Sequence, residues 1–313
     1  SQTLLKQADI ALYRAKSEGK NNFQYYSSEM ERETKDRLYL SNSLHRALKR
    51  GEFEVYYQLQ ATLATQSIVV GSEALLRWRH SERGLLSPAE FIPLLEETGL
   101  IGPVSRWLIK EACYAQKAWI AKGLISQESH ISVNLAPRQL RDSSIIADFE
   151  QTLSDTGLSG TNLVVEITES ALLEDSKTTT EILSKLKQIG IKIALDDFGT
   201  GFSSLTYLKR FSIDYLKIDQ TFIRDILTNT DDMAITQAVI KLAESLGLTV
   251  IAEGVENVEI LALLEELGCP CYQGNLLNKP CNYKDTQILF ESLKKNSMIL
   301  PFSERRSSLN LQG

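Results

Sequence analysis

The stretch "KIALDDFGTG", residues 192–201, is an apolar run that ends in two adjacent carboxylates and a loop containing two glycines. Its apolar residues predict a strand that is covered on both faces, as in a parallel sheet packed under helices. Asp196 and Asp197 stand where that strand signal stops. Because adjacent carboxylates repel each other unless a cation neutralises them, the pair predicts a cation site at the strand end.

Seven further strand-like runs share this pattern, and they alternate with segments of helical periodicity, several of which end at glycine. The eight runs are "EFEVYYQ", "SIVVGSEALLRW", "HISVNL", "NLVVEITE", "IKIALDD", "DYLKID", "LTVIAEG" and the weaker "PCYQG". Eight strand and helix units over roughly 250 residues predict an α/β fold of the (β/α)8 TIM-barrel type. A doubly wound open sheet is the alternative.

In seven of these eight runs a polar residue directly follows the apolar part of the run. These residues are Glu73, Asn134, Glu166, the pair Asp196 and Asp197, Lys217, Glu253 and Gln273. In a barrel the carboxyl ends of the strands meet at one rim, where barrel enzymes keep their chemistry. Any one of these residues could be an ordinary rim residue, but their repetition favours a functional site.

The acidic and amide members of this set are oxygen ligands, and no histidine or thiolate accompanies them, which favours a hard cation such as Mg²⁺ or Mn²⁺. Two cations about 3.5–4 Å apart could share Asp196, with Asp197 as a second carboxylate. Such a pair can bind a phosphodiester and lower the pKa of a water molecule. Lys217 and Glu253 then suit positioning and deprotonating that water, although an ion pair with a rim carboxylate would also explain Lys217.

Composition excludes several classes of protein. The chain has 313 residues, a net charge of -6 and a pI near 5.3, which argues against a general nucleic-acid coat. No apolar run approaches the roughly 18 residues of a membrane span, and no signal-peptide pattern is seen, so we expect this stretch of chain to be cytoplasmic. The cysteines lack zinc-site spacing and are expected to be reduced.

From residue 72, "SEALLRWRH" begins a series of motifs that resembles the EAL family of cyclic di-GMP phosphodiesterases. The series continues through "LLSPAEFIPLLEETGLI", "VNLAPRQL", "VEITES", "ALDDFGTGFSSLTYLKRFSIDYLKID", "VIAEGVE" and "QGNLLNKP". The resemblance implies a modified barrel whose first strand, "EFEVYYQ", runs against the others. It also implies metal-dependent hydrolysis of one phosphodiester bond of cyclic di-GMP, which gives the linear dinucleotide pGpG.

The resemblance further implies roles for single residues and two Mg²⁺ or Mn²⁺ ions per active site. The implied metal ligands are Glu73, Asn134, Glu166, Asp196, Asp197 and Glu253. The implied catalytic residues are Glu253, as general base, and Lys217, in contact with the attacking water. The positions expected to bind substrate are Gln58, Leu75, Arg77, Pro88, Gln139, Asp219 and Gln273. Glu169 is expected to anchor the loop that follows the two aspartates.

The loop "FGTGFSSL", residues 198–205, is the expected dimer contact. Gly199 and Gly201 alone would be explained by a plain turn between a strand and a helix. The resemblance implies instead that this loop and the helix after it join two copies of the chain in a homodimer.

The chain departs from the family pattern at a few positions. Leu59 follows Gln58 where the family usually has proline, and Asn275 and Leu277 stand where it often has aromatic residues. None of these departures removes a metal ligand or the base, so turnover is expected. The alternatives are a binding module that holds the dinucleotide without cutting it, and another metal-dependent barrel enzyme such as an enolase-like isomerase.

Four segments are predicted along the chain. Residues 1–27 resemble the closing helix and edge strand of a GGDEF domain, and residues 28–51 form a charged helical connector that is either solvated or partner-binding. Residues 52–296 form the EAL barrel. Residues 297–313 are polar and predicted to be disordered.

Overall fold

The computed structural model describes residues 2–17, 21–63, 68–173, 177–199, 208 and 210–296. The chain divides into two compact units, one made of residues 1–53 and 78–101, the other of residues 54–77 and 102–313. The second unit holds most of the barrel and the rim residues singled out above. The expected dimer loop, apart from residues 198–199, and the C-terminal tail lie outside the described residues.

The described strands form one sheet that closes into a barrel. They are β1 (Phe53–Thr62), β2 (Val69–His80), β3 (Gly84–Leu86), β4 (His130–Asn134), β5 (Leu163–Thr168), β6 (Lys192–Phe198), β7 (Tyr215–Ile218), β8 (Thr249–Ala252), β9 (Cys271–Gln273) and β10 (Cys281–Asn282). The strand order is β10-β1-β9-β8-β7-β6-β5-β4-β2-β3, and an additional β1–β2 pairing closes eight of them.

The strand directions match the modified barrel. β1 is antiparallel to β9, whereas the successive pairs from β2–β4 to β8–β9 are parallel. The predicted (β/α)8 barrel with an antiparallel first strand is therefore confirmed, and the open doubly wound sheet is excluded because the sheet has closed on itself.

Helices precede β1, occupy connections between the strands and follow β10. They are α1 (Gln2–Ser17), α2 (Ser28–Ala47), α3 (Pro88–Thr98), α4 (Ile101–Ala121), α5 (Ser144–Thr156), α6 (Glu169–Leu173), α7 (Lys177–Gln188), α8 (Gln220–Arg224), α9 (Thr230–Leu246), α10 (Val258–Glu266) and α11 (Tyr283–Asn296). Gly157 and Gly247 end α5 and α9 in the left-handed conformation that glycine adopts without strain. Over the described residues, no helix combines the length and apolarity that a membrane crossing requires.

A layer of buried side chains inside the barrel explains why the rim residues face inward. Its members are Val164, Ala194, Tyr215, Ile251 and Cys271, one from each strand from β5 to β9. Side chains two positions apart on a strand share one face. The residues two positions further along these five strands are Glu166, Asp196, Lys217, Glu253 and Gln273. The apolar layer therefore directs the predicted rim residues into the mouth of the barrel.

The first unit contains α1, α2, β3 and α3. Exposed ion pairs join α1 to α2, from Lys6 to Glu31 at 2.8 Å and from Arg14 to Glu33 at 2.6 Å. α2 accounts for most of the predicted helical connector. Residues 21–27 form no strand, so the expected edge strand is absent from this described segment. An edge strand requires a neighbour to pair with, and none of the described strands pairs with these residues.

Candidate active site at the carboxyl ends of the barrel strands

The ammonium group of Lys217, on β7, lies among four carboxylates from four other strands or strand ends. Its Nζ atom is 2.6 Å from Glu166 Oε2, 2.6 Å from Glu253 Oε1, 3.2 Å from Asp196 Oδ1 and 3.4 Å from Glu73 Oε2. Lys217 is 1% exposed and Glu166 is fully buried. Four carboxylates and one ammonium leave three negative charges uncompensated when all five groups are ionised.

This excess of negative charge changes the proton affinity of the carboxyl groups. Burial, and then the nearby carboxylates, raise the pKa of Glu166 well above its usual range. Burial also raises the pKa of Glu253 to about 8, against the opposing effect of Lys217. Burial alone would lower the pKa of Lys217, but the surrounding carboxylates raise it well above its ordinary value, so the ammonium stays charged.

Glu73, on β2, is the carboxylate best supplied with donors. Asn134 Nδ2 donates to its Oε1 at 2.7 Å, and Gln273 Nε2 donates to its Oε2 at 2.6 Å. Burial acts to raise the pKa of Glu73, but Lys217 and these two amides together lower it. Glu73 is therefore ionised, and the Asn134 amide turns its nitrogen, not its oxygen, toward this carboxylate.

A backbone irregularity interrupts β6 at Asp196 and Asp197. Neighbouring residues on a regular strand point to opposite faces, but the β6–β7 register shifts between Leu195 and Phe198. Asp197 adopts a left-handed conformation with φ of +56°, and its N–H donates to Asp196 Oδ1 at 3.0 Å. Burial, then repulsion by Asp196 and by Asp219, raises the pKa of Asp197 to about 6.

The chemistry of the cluster fits a divalent cation. The side chains that could bind a cation offer carboxylate or amide oxygens, which are the ligands of hard cations. No hydrogen-bond donor within the described residues reaches the buried atom Glu166 Oε1, and a buried acceptor normally has a partner. No three Asp, Glu, His or Cys side chains of the described residues converge on one point as metal ligands do; the Lys217 ammonium stands among the carboxylates instead.

A cleft of about 280 Å³ opens onto this cluster. The predicted site residues that line it are Gln58, Glu73, Leu75, Asp196, Lys217, Glu253 and Gln273. Its remaining lining comes from Gln220, Gly254, Glu256, Gly274, Asn275 and Pro280, which the sequence reasoning did not assign to the site. Two of these lining residues are hydrogen-bonded to each other, since Asn275 Nδ2 donates to Glu256 Oε1 at 3.3 Å.

Other predicted site residues lie outside the lining of the cleft. The half-buried Arg77 has its guanidinium carbon 5.6 Å from the centre of the Tyr56 ring and donates to the Leu76 carbonyl at 2.9 Å. Gln139 is buried and accepts from the Ser105 hydroxyl at 3.0 Å. Asp219 accepts the Thr221 N–H at 2.8 Å at the start of α8.

Two further predicted residues mark the beginnings of helices. Pro88 opens α3, in the first unit, and Glu169 opens α6 and is 6% exposed. Most of the loop that Glu169 is predicted to anchor lies outside the described residues. The four cysteines, Cys113, Cys269, Cys271 and Cys281, are all free thiols, as predicted.

Sequence reasoning missed two residues that contact the site residues Gln58 and Gln273. Gln60 Nε2 donates to Gln273 Oε1 at 2.8 Å, and Gln60 lies two positions after Gln58 on the same face of β1. That alternation of glutamines was the available signal. Asn278 was also missed, although its Oδ1 accepts the backbone N–H of Leu59 at 2.9 Å.

Comparison with known proteins decides the family. The sequence pattern of the EAL domain matches residues 41–280. The chain belongs to the EAL domain family. Two relatives are MucR of Pseudomonas aeruginosa, named a bifunctional diguanylate cyclase/cyclic di-GMP phosphodiesterase, and the cyclic di-GMP phosphodiesterase PdeR of Escherichia coli. The first is 38% identical over 277 residues, covering 88% of this chain and 40% of MucR. The second is 37% identical over 280 residues, covering 90% of this chain and 42% of PdeR.

A solved structure gives the same result. The structure titled "PaMucR Phosphodiesterase, c-di-GMP complex" is 37% identical, with a TM-score of 0.75 over 79% of this chain and 99% of that one. This EAL chain therefore matches nearly the whole of a solved EAL structure but less than half the length of its curated relatives. The departure at Leu59 has a physical explanation here, since proline would lack the N–H that Leu59 donates to Asn278.

Proposed function

We propose that this chain hydrolyses one phosphodiester bond of cyclic di-GMP to give linear pGpG, and so ends or tunes a bacterial second-messenger signal. The observation that carries the proposal is the meeting of Glu73, Glu166, Asp196 and Glu253 around Lys217 at the mouth of an EAL barrel. The relatives named as cyclic di-GMP phosphodiesterases support the same substrate.

EAL phosphodiesterases depend on metal ions, and we propose two Mg²⁺ or Mn²⁺ ions at this site. The residues that would hold them are Glu73, Asn134, Glu166, Asp196, Asp197 and Glu253. Bound divalent cations neutralise phosphate charge and lower the pKa of a water molecule. The unpartnered oxygen of Glu166 and the uncompensated charge of the cluster support this assignment.

Side chains of the protein would transfer the proton, orient the attacking water and bind the substrate. Burial raises the pKa of Glu253 to about 8, and bound cations would lower it, so that the ionised carboxylate would be suited to take a proton from the attacking water. Lys217, kept charged by its neighbours, is suited to orient that water. Arg77 is proposed to pair with the phosphate, because a planar guanidinium matches phosphate oxygens. The substrate would be bound by Gln58, Leu75, Arg77, Pro88, Gln139, Asp219 and Gln273.

Direct measurement of the product tests this proposal. Purified protein is incubated with cyclic di-GMP and Mg²⁺ or Mn²⁺, and the nucleotides are separated by chromatography. We expect pGpG from the wild type with either ion and none from Asp196→Asn, which keeps the size of the side chain but removes the shared carboxylate. Binding of cyclic di-GMP without any pGpG would identify a binding module and contradict the proposal.

The EAL assignment also suggests an oligomeric state, a cellular location and domain boundaries for the chain. We propose that the chain forms a homodimer through the loop and helix that follow Asp197 and that it acts in the cytoplasm. We also propose that residues 1–27 are the end of a GGDEF domain, residues 28–51 a connector, residues 52–296 the phosphodiesterase barrel and residues 297–313 a disordered tail. A monomer at micromolar concentration, measured by light scattering, would contradict the proposed dimer.

A further inference from the structure

A continuous row of side-chain hydrogen bonds runs through the inside of the barrel, from Glu73 down to His130. Gln273 Nε2 donates to Glu73 Oε2 at 2.6 Å, and Gln60 Nε2 donates to Gln273 Oε1 at 2.8 Å. Gln60 Oε1 in turn lies 2.9 Å from His130 Nε2. The row joins β2, β9, β1 and β4, and its first member is a proposed metal ligand.

The chemistry of these groups gives the row a single direction. Gln273 turns its NH₂ group toward two acceptors, Glu73 Oε2 at 2.6 Å and Gln58 Oε1 at 3.1 Å. The oxygen of the Gln273 amide then faces Gln60, which must present its own NH₂ group. That leaves Gln60 Oε1 facing the imidazole, and His130 Nε2 must therefore carry a proton and donate it.

We propose that Gln60 and His130 are positioning residues for the reaction, which hold the Gln273 amide with its NH₂ group toward Glu73. This inference rests on the proposed phosphodiesterase activity. A Gln273 amide turned the other way would place its oxygen against the Glu73 carboxylate, where two acceptors repel each other. Gln58 opposes that turn from one side, because its Oε1 accepts from Gln273 Nε2 at 3.1 Å, and Gln60 opposes it from the other, because its NH₂ group would then face the NH₂ group of Gln273.

Packing around His130 supports a role beyond filling space. A Cβ atom on Gly71 would lie 2.5 Å from His130 Nε2, so the strand leaves room for the ring only because residue 71 is glycine. The Tyr215 ring, centred 5.3 Å away, lies against the imidazole. Gln60 is 0% exposed and His130 is 4% exposed, so water does not replace these contacts.

The charge state of His130 agrees with its use as a fixed donor. Burial, and then the nearby Lys192 ammonium, lower the pKa of His130 to about 4. A neutral imidazole has one N–H donor. Its single proton is therefore required on Nε2 throughout the physiological pH range.

The kinetic test removes the Gln60 amide at nearly constant length. Gln60→Met should lower kcat by about tenfold, as expected when a partner that orients a ligand is lost. Gln116→Met is the matched control, because Gln116 is also 0% exposed and bonds the Ser129 carbonyl, which is not part of the row. We expect the control to keep kcat within about twofold while losing stability to a similar degree.

A double variant separates positioning from packing. If Gln60 acts through Gln273, Gln60→Met together with Gln273→Met should be no slower than Gln273→Met alone, because the second change removes what the first one positions. Multiplied losses in the double variant, or a Gln60→Met kcat equal to that of Gln116→Met, would overturn the inference. Failure of the proposed function would look different, as absence of pGpG from the wild type.

The proton on the wild-type imidazole provides a test that needs neither turnover nor a folded Gln60 variant. Nitrogen NMR on the three histidines, with His130→Leu for assignment, should find His130 neutral with its proton on Nε2 between about pH 6 and pH 8. His80 is an internal reference for the tautomer, because its Nδ1 accepts the N–H groups of Glu82 and Arg83, which leaves Nε2 to carry the proton of the neutral ring. A His130 proton on Nδ1, or a charged ring, would overturn the inference.

Discussion

At the scale of single residues, one lysine determines the electrostatics of the site. Lys217 is within 2.6 Å of both Glu166 and Glu253, yet one ammonium cannot neutralise every carboxylate around it. Glu253 lies on the cleft wall, with a pKa that burial and the neighbouring carboxylates raise and that a bound cation would lower. These two properties together support its proposed role in removing a proton from water.

Replacement of Glu253 by glutamine should separate binding from catalysis. Glu253→Gln keeps the shape of the side chain but removes the proton acceptor, so we expect hydrolysis of cyclic di-GMP to fall by at least ~10² while the dissociation constant changes little. Turnover is measured by chromatography and binding by calorimetry. Glu259→Gln, the same change at an exposed position in α10, is the control. Turnover of Glu253→Gln close to that of the wild type would remove Glu253 from the role of base.

The raised pKa values also predict how stability depends on pH. The folded protein holds a proton on Glu253 up to a pKa of about 8, whereas an unfolded glutamate releases it near pH 4.3, at about its unperturbed pKa. Unfolding in that window therefore releases a proton and is favoured by rising pH. Asp197, with its pKa raised to about 6, acts in the same direction.

We therefore expect the Tm in the presence of a chelator to fall between about pH 5 and pH 8, and to fall less in Glu253→Gln. Thermal unfolding followed by circular dichroism provides the measurement. A Tm of the wild type that rises over this range would mean that Glu253 is not held in its protonated form.

The residues of the site differ in how far sequence could reveal them. Asp196 and Asp197 can be recognised in the sequence as adjacent carboxylates at a strand end. The position of Lys217 at the centre of the cluster could not be derived in this way, because it depends on the spacing of several strands around a closed barrel. The pairing of Gln60 with His130 could not be predicted from the sequence, since a hydrogen bond between residues 70 positions apart leaves no local pattern.

At the scale of elements, the sequence predicted the barrel because each of the eight strands appears as a separate apolar run with a recognisable end, and segments of helical periodicity lie between the runs. The two additional short strands, β3 and β10, have 3 and 2 residues and were not predicted. Strands this short show no alternation of their own and exist through pairing with β2 and β1. The direction of a strand cannot be predicted from its local pattern either, and the antiparallel orientation of the first strand was predicted only from the family resemblance.

The backbone segment just before β5 lies very close to the segment just before β6, and this close contact gives a prediction. A Cβ atom on Gly160 would lie 2.1 Å from the carbonyl oxygen of Ile189, which is backbone and cannot turn aside. We expect Gly160→Ala to lower the free energy of unfolding by at least about 1–3 kcal/mol through overpacking. Gly102→Ala, at an open position in α4, should be neutral or slightly stabilising. Equal denaturation midpoints for the two variants in urea would contradict the prediction.

At the scale of the whole molecule, the EAL barrel accounts for the region from residue 41 to residue 280. The chain spans 40% of MucR and 42% of PdeR, so the activity proposed here is that of one domain among the parts of such longer proteins. The barrel brings the acidic residues together by its topology, and the resulting repulsion should make folding and metal binding interdependent.

Metal binding should therefore stabilise the whole barrel. At a Mn²⁺ concentration of 100 times the dissociation constant, linkage predicts about 2.7 kcal/mol of added stability. We expect a higher Tm with Mn²⁺ than with chelator in the wild type, and little difference in Asp196→Asn. A similar Mn²⁺ effect in both proteins would locate the binding elsewhere.

The most direct test is a diffraction experiment on crystals grown with Mn²⁺, using its anomalous signal. We expect anomalous density among Glu73, Asn134, Glu166 and Asp196, with the Lys217 ammonium displaced from the centre of the carboxylates. An absence of anomalous density at these residues at saturating Mn²⁺, with Lys217 still bound to Glu166 and Glu253, would contradict the assignment of this cluster as a metal site.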